Sequence, residues 1–270
     1  MEPIKHEVYK FFADFVFKKT GIYYEEKDYY RLDKRISDMM RQFECENPDE
    51  LYEKFKTSMS KEMENFLIDI CTNNETYFFR DQKPFDALTK AIIPELKDSA
   101  TSGLQIWSAA SSTGQEPLSI TMSILEEFGS SVNFHLDATD ISSKALDKCK
   151  SGVYTGLDVQ RGLPIQLLMK YFINANDNQW TAKPELLGRV SYDSFNLLTG
   201  NFPFQKYHII FCRNVLIYQN QANKHKIMEK LTDALKTGGY LILGAGESLV
   251  GMNVGLKTKT VANCMVFQKE

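Results

Sequence analysis

Two hydrophobic periods divide the chain. Up to about residue 72 the apolar positions recur every three to four residues, and no stretch alternates as a strand would. "HEVYKFFADFVFKKTG" predicts a helix that stops at Gly21, and "DYYRLDKRISDMMRQF" predicts a second. "NPDELYEKFK" predicts a third, capped by Asn47 with Pro48 in its first turn, and "SKEMENFLIDICTNN" a fourth that starts at Ser60. Residues 1–72 therefore read as an all-α domain.

After Arg80 the period changes. "KPFDALTKAIIPEL" is helical, and beyond it short apolar runs alternate with helical ones. Strands are expected at "LQIWSAA", "NFHLDATDI", "RVSYDSFN", "YHIIFCRNV", "GGYLILGAG" and "ANCMVFQK". Helices are expected between them at "EPLSITMSILEEF", "SSKALDKCKS" and "ANKHKIMEKLTDALK". This alternation predicts a doubly wound α/β domain over 91–270, a mostly parallel sheet with helices on both faces. "GLPIQLLMKYFINANDNQWTAKPELLGRV" is too long for a plain connection, so a subdomain is expected to be inserted over about 153–190. Residues 73–90 remain as a joint between the two halves.

Composition adds exclusions. The 270 residues are 43% hydrophobic and 25% charged, which suits one large or two modest globular domains. A net charge of −3 argues against a nucleic-acid partner. No apolar run reaches the roughly 18–20 residues of a membrane span. "MEPIKHEVYKFFADF" has acids and no cleavage site, so neither membrane insertion nor a signal peptide is expected. Five scattered cysteines form no C-x-x-C pair, which points to a reduced cytoplasm rather than a disulfide framework or zinc ribbon. The histidines, at 6, 135, 208 and 225, show no metal spacing.

In a doubly wound sheet, ligands bind beyond the carboxyl ends of the strands. Four such ends carry unusual residues. "IWSAASSTGQEP" runs a strand into small residues, with Gly114 for a tight turn and Glu116 opening a helix; it is not the G-x-G-x-x-G dinucleotide fingerprint. Asp140 in "LDATDIS" can take both hydroxyls of a ribose, or it can cap the helix that follows. Asn196 and Leu197 in "SFNLLTG" offer an amide and an apolar wall to a base, or a plain turn. "FCRNVLIYQN" ends a buried strand in Arg213 and Asn214, with Tyr218 one turn on; a surface ion pair is the bland alternative for Arg213. With no phosphate cradle, the set suits an adenosyl cofactor without pyrophosphate, and S-adenosylmethionine fits.

"CTNNETYFFRDQKPF", at the joint, places Asn74, Thr76, Tyr77, Phe78, Phe79 and Arg80 together. It reads as a helix end with phenylalanines in the core, or as a lid with polar ligands and a cation. "TYFFRD", "WSAASSTGQEP", "ATDIS", "FNLL" and "IIFCRNVLIY", in that order behind a helical domain, resemble the CheR-type chemoreceptor glutamate methyltransferases over essentially the whole chain. The resemblance implies a Rossmann-like class I methyltransferase domain. It implies methyl transfer from S-adenosylmethionine to receptor glutamates, leaving S-adenosylhomocysteine, and a cytoplasmic enzyme expected to be monomeric. It further implies that Asn74, Thr76, Arg80, Glu116, Asp140, Asn196, Leu197, Arg213 and Asn214 line the cofactor site. Two departures stand out: "ASSTGQEPLS" lacks the family's usual cysteine, second acid and tyrosine, and "IYQN" replaces "IYFD".

Glutamate is ionised at neutral pH, so no general base is required. Arg80 is read as anchoring a carboxylate and Tyr218 as positioning substrate or methyl, and no metal is implied. Arg31, Lys34, Arg35 and Arg41, at near-helical spacing with Asp38, form a cationic face that by family analogy docks on the helical bundle of a chemoreceptor. A solvated amphipathic face is the alternative. Some family members capture a receptor tail on the inserted subdomain through a glycine-containing loop. "YFINANDNQWTA" has no glycine, so methylation without tight tail binding is expected. A catalytically silent cofactor-sensing module, or a methyltransferase for small molecules or RNA, would share the cofactor site. The Asn/Asp-Pro-Pro-aromatic motif of amino methylation is absent.

Overall fold

The computed structural model describes residues 3–176 and 178–270. Four helices build the first domain: α1 (His6–Thr20), α2 (Asp33–Gln42), α3 (Pro48–Ser58) and α4 (Lys61–Cys71). Gly21 ends α1 in the left-handed conformation, with φ 76° and its amide donating to the Phe17 carbonyl. Asn47 and Ser60 cap α3 and α4 by accepting the amides of Glu50 and Met63. The bundle closes on Val8, Phe12, Ile36, Met39, Leu51 and Phe55.

The expected second helix is split. Glu26–Leu32 is a 3-10 segment and only the remainder is α-helical, so Arg31 lies outside α2. A three-residue turn keeps Tyr29 and Leu32 on one side. Leu32 enters the core there, and Tyr29 stacks on Tyr9 at 5.7 Å.

Past the joint runs one continuous helix, made of α5 (Gln82–Ala87), a π turn over Leu88–Ile92, and α6 (Ile93–Leu96). The ladder widens where the Pro94 ring would meet the carbonyl four residues back. The α/β domain continues with β1 (Leu104–Ala109), α7 (Gln115–Phe128), β2 (Phe134–Asp140) and α8 (Ser143–Ser151). An insert follows: β3 (Val153–Thr155), α9 (Gly156–Gln160), α10 (Ile165–Tyr171), β4 (Phe172–Asn176), β5 (Gln179–Ala182) and α11 (Pro184–Leu187). Its strands form a small antiparallel sheet in the order β3-β5-β4. The expectation of methylation without tight tail binding turns on the loop at Asp177, which lies outside the described residues.

The chain closes with β6 (Val190–Ser194), β7 (Tyr207–Cys212), α12 (Gln221–Ala234), β8 (Leu235–Leu243), β9 (Leu256–Val261) and β10 (Cys264–Lys269). The main sheet has the order β6-β2-β1-β7-β8-β10-β9, parallel from β6 to β8, with β10 antiparallel to both β8 and β9. All six residues of β7 are buried, as a central parallel strand requires. One face packs on α7, the joint helix and the insert, through Phe85, Ile106, Leu118, Phe172 and Phe211; the other packs on α12, through Trp107, Ile210, Met228 and Leu231. The order reverses between β1 and β7, and their loops part there to open a crevice.

Candidate functional site

The loop after β1 is wound tightly. Ala110, Ser112 and Gly114 all have positive φ, at 70°, 51° and 94°. A Cβ on Gly114 would sit 2.7 Å from the Tyr154 hydroxyl, so only glycine fits that step. The winding aims the Ser112 amide at Asp140 on the end of β2, with N to Oδ2 at 2.8 Å. The Ser142 amide meets the other oxygen at 2.9 Å. Asp140 does not cap α8; Ser142 does, its hydroxyl accepting the Ala145 amide at 3.1 Å. Burial pushes the Asp140 carboxyl above its ordinary range, against the pull of these amides. A carboxylate has about four acceptor positions, so acceptor capacity remains for a diol.

Arg213 leaves the end of β7 and is no surface residue: its side chain is 2% exposed. Its guanidinium bridges Glu116 at 3.1 Å, Asp81 at 2.9 Å and the Arg80 carbonyl at 2.7 Å. Glu116 also accepts the Ser108 hydroxyl at 2.7 Å. Arg213 thereby ties the first turn of α7 to the joint. Its buried Nε has no hydrogen-bond partner among the described residues.

Sequence reasoning missed the residue that shapes this loop. Glu247 is buried beyond β8, and its carboxylate accepts four backbone amides: Asn214 and Gly244 at 2.8 Å, Val215 at 2.9 Å and Leu216 at 2.7 Å. These bonds hold Asn214 at φ 59° and start the short 3-10 turn that carries Tyr218. The available signal was an acid just past the apolar end of a strand, in "LILGAGES".

The joint folds over the crevice. Phe78 is fully buried, whereas Phe79 and Asp81 adopt positive φ of 52° and 56°. The Asn74 carbonyl accepts the Ser112 hydroxyl at 2.8 Å, and the Phe79 amide donates to Ser119 at 3.0 Å. Arg80 donates to the Glu75 carbonyl at 3.1 Å and lies 5.6 Å from the Tyr77 ring. Among the described residues, five of the nine non-glycine positions at positive φ (Phe79, Asp81, Ala110, Ser112 and Asn214) flank this one place. Such strain persists only where surrounding structure holds it.

The crevice gathers Asn74, Thr76, Arg80, Glu116, Asp140, Arg213 and Asn214. Asn196 and Leu197 line an adjoining hollow, and Tyr218 a third; all three share Ala110 and Val215 as walls. The Asn196 amide donates to the Lys19 carbonyl at 2.8 Å and its oxygen accepts the Leu198 amide at 2.9 Å, so it serves both its own turn and the domain joint. Gln219 likewise donates to the Thr20 carbonyl at 3.0 Å. Behind the first loop, burial pushes the Cys149 thiol up to about 12, and it donates to the Ser112 carbonyl. Among the described residues no cluster of histidine, cysteine and carboxylate groups could hold a metal ion.

The cationic face is smaller than expected. Arg31, Lys34 and Arg41 are exposed, and Arg41 pairs with Asp38. Arg35 turns inward, donating to the Arg31 carbonyl at 2.6 Å with its Nε buried beside Cys71 and Tyr24. A cation at helical spacing does not by itself reveal whether its stem points to solvent or to the core.

These features define a nucleoside-cofactor site at the switch point of a doubly wound sheet. The donor set fits S-adenosylmethionine: Asp140 keeps acceptor capacity, and Arg213 Nε is a buried donor without a partner among the described residues. Comparison with known proteins agrees. Residues 74–263 match the family described as CheR methyltransferase, SAM binding domain, and residues 7–71 match CheR methyltransferase, all-alpha domain. The chain is 38% identical over 248 residues to Chemotaxis protein methyltransferase Cher2 of Pseudomonas putida, covering 89% of this chain and 90% of that one. It is 35% identical to a Chemotaxis protein methyltransferase of Vibrio anguillarum, over 92% of each chain. It is 36% identical to Chemotaxis protein methyltransferase 1 of Pseudomonas aeruginosa, over 89% and 90%. The chain belongs to the CheR methyltransferase family and is built to bind S-adenosylmethionine.

Proposed function

We propose that the protein transfers methyl groups to glutamate side chains of chemotaxis receptors. The observation that carries this reading is the single crevice in which Asp140, Glu116, Arg213, Asn214 and the Asn74–Arg80 segment converge, in a chain of this family. When bound, the cofactor supplies a methyl group activated on a sulfonium. Asp140 holds its ribose hydroxyls, Asn196 and Leu197 border its base, and Arg80, Glu116, Arg213 and Asn214 take its amino-acid end.

The acceptor carboxylate is ionised at neutral pH and needs no base. The protein's task is placement, which can contribute up to roughly 7–11 kcal/mol. Opposite charges neutralise as the new bond forms, so a site that excludes water favours the transfer. Arg80 orients a carboxylate from the lid, and Tyr218 holds the acceptor at the mouth. Arg31, Lys34 and Arg41 offer an exposed cationic face to an acidic helical bundle, with a monomer as the working unit. The test is transfer of radiolabelled methyl to receptor fragments, followed by base-labile release of methanol. A chain that binds cofactor yet labels no receptor would be a sensing module or act on another substrate.

A further inference from the structure

One contact in the lid has a direction that can be read. Asn73 Nδ2 donates to the Tyr218 hydroxyl at 2.8 Å, while Asn73 Oδ1 accepts the Glu75 amide at 3.2 Å. A backbone N–H can only donate, so the second bond fixes which way the Asn73 amide faces. The Tyr218 oxygen is therefore an acceptor in the first bond. Its own hydrogen has no acceptor among the described residues. Tyr218 lines the hollow shared with Asp140, Asn214 and Val215, so that free O–H lies beside the crevice.

We infer that Asn73 is a positioning residue for methyl transfer. It anchors the Tyr218 hydroxyl as an acceptor and leaves the phenolic proton free to donate to the incoming carboxylate. The proton stays on Tyr218 throughout. It binds one carboxylate oxygen while the other attacks the methyl carbon. This rests on the proposed reading of Tyr218 and assigns a new role to its neighbour.

Aspartate has the shape of asparagine but only accepts. Asn73→Asp keeps the bond from the Glu75 amide, so the fold stays intact, yet it draws the Tyr218 proton toward itself. The test measures receptor-fragment methylation by the full chain as wild type, Asn73→Asp, Tyr218→Phe and the double variant. Asn73→Asp should lower kcat/KM for the acceptor roughly 10- to 100-fold, the range of one hydrogen bond to a charged group, with affinity for S-adenosylhomocysteine unchanged. In the Tyr218→Phe background the same substitution should change the rate less than about 3-fold, because the cycle removes the plain charge effect common to both backgrounds. Equal losses in both backgrounds, or a wild-type rate in Asn73→Asp, overturn the inference alone. A wild type that methylates no receptor overturns the proposed function and this inference with it.

Discussion

Asp137 and Asp140 stand three residues apart on β2 and meet opposite fates. Asp137 faces the α12 side of the sheet, where Lys206 at 2.6 Å, the Tyr207 hydroxyl at 2.8 Å and His135 at 2.9 Å surround it. Burial alone would raise its carboxyl, but these partners pull it below the ordinary range. Among the described residues Asp140 is held by main-chain amides rather than by a cation, and burial wins. A carboxylate whose charge is already matched is part of the scaffold. One kept buried, half-satisfied and raised is poised for a ligand.

The comparison breaks most easily at Asp140. Asp140→Asn should weaken S-adenosylhomocysteine binding roughly 100-fold or more, since two charge-assisted bonds to a diol are each worth roughly 1.5–3 kcal/mol. Calorimetry on a folded variant that returns wild-type affinity would remove Asp140 from the site. The raised carboxyl also sets a direction with pH. Asp140 takes up its proton at a higher pH than an ordinary aspartate, so wild-type affinity should begin to fall in mild acid while Asp137 is still charged. That early loss should be missing from the Asp140→Asn titration.

Arg80 comes next. A guanidinium grips a carboxylate with two parallel N–H groups, which an ammonium cannot reproduce. Arg80→Lys should therefore lose methyl transfer by roughly 10- to 100-fold with an unchanged melt. Exposed ion pairs are worth only about 0–1 kcal/mol. Initial rates near wild type at saturating cofactor would thus make the lid a structural joint.

A smaller effect on turnover and a larger one on stability are expected at Glu247. Glutamine there keeps one oxygen for two amides and turns an NH₂ toward the other two. Each orphaned amide costs about 1–3 kcal/mol, so Glu247→Gln should melt several degrees lower and loosen the Arg213–Tyr218 loop. A melt that does not move would show that the four-amide contact is dispensable.

The ease with which these residues could be read from sequence follows the same divide. Strand ends that carry polar residues after apolar runs placed Asp140, Arg213 and Asn214 at the crevice. Caps at Asn47 and Ser60 are local chemistry, and they form as expected. Glu247 escaped because it bonds main-chain atoms 31 to 33 residues earlier, and any residue type can supply a backbone amide. Asn73 escaped because Tyr218 lies 145 residues away. Strand β9 escaped because "LKTKTV" is a charged edge with little apolar content. Arg35 looked like its neighbours, and only the fold distinguishes a cation turned toward a buried thiol from one in solvent.

The mildest change sharpens the comparison from the other side. Asp137→Asn should leave cofactor affinity and methyl transfer untouched, because Asp137 lies across the sheet from the crevice. Its Lys206 partner is 42% exposed, so solvent screening discounts the pair, and Tyr207 can still donate to the new amide oxygen. A loss of about 1 kcal/mol is expected, lowering the melting temperature by roughly 2–4 °C. The sign with pH is fixed by the depressed carboxyl. Its stabilisation is complete above the unfolded value of about 3.9 and disappears as pH falls through the lower folded value. Wild-type and variant melts should differ by a constant amount at neutral pH and converge below about pH 4. A variant that melts normally at pH 7 but binds S-adenosylhomocysteine poorly would mean that both faces of β2 serve the cofactor, and the division drawn between the two aspartates would be wrong.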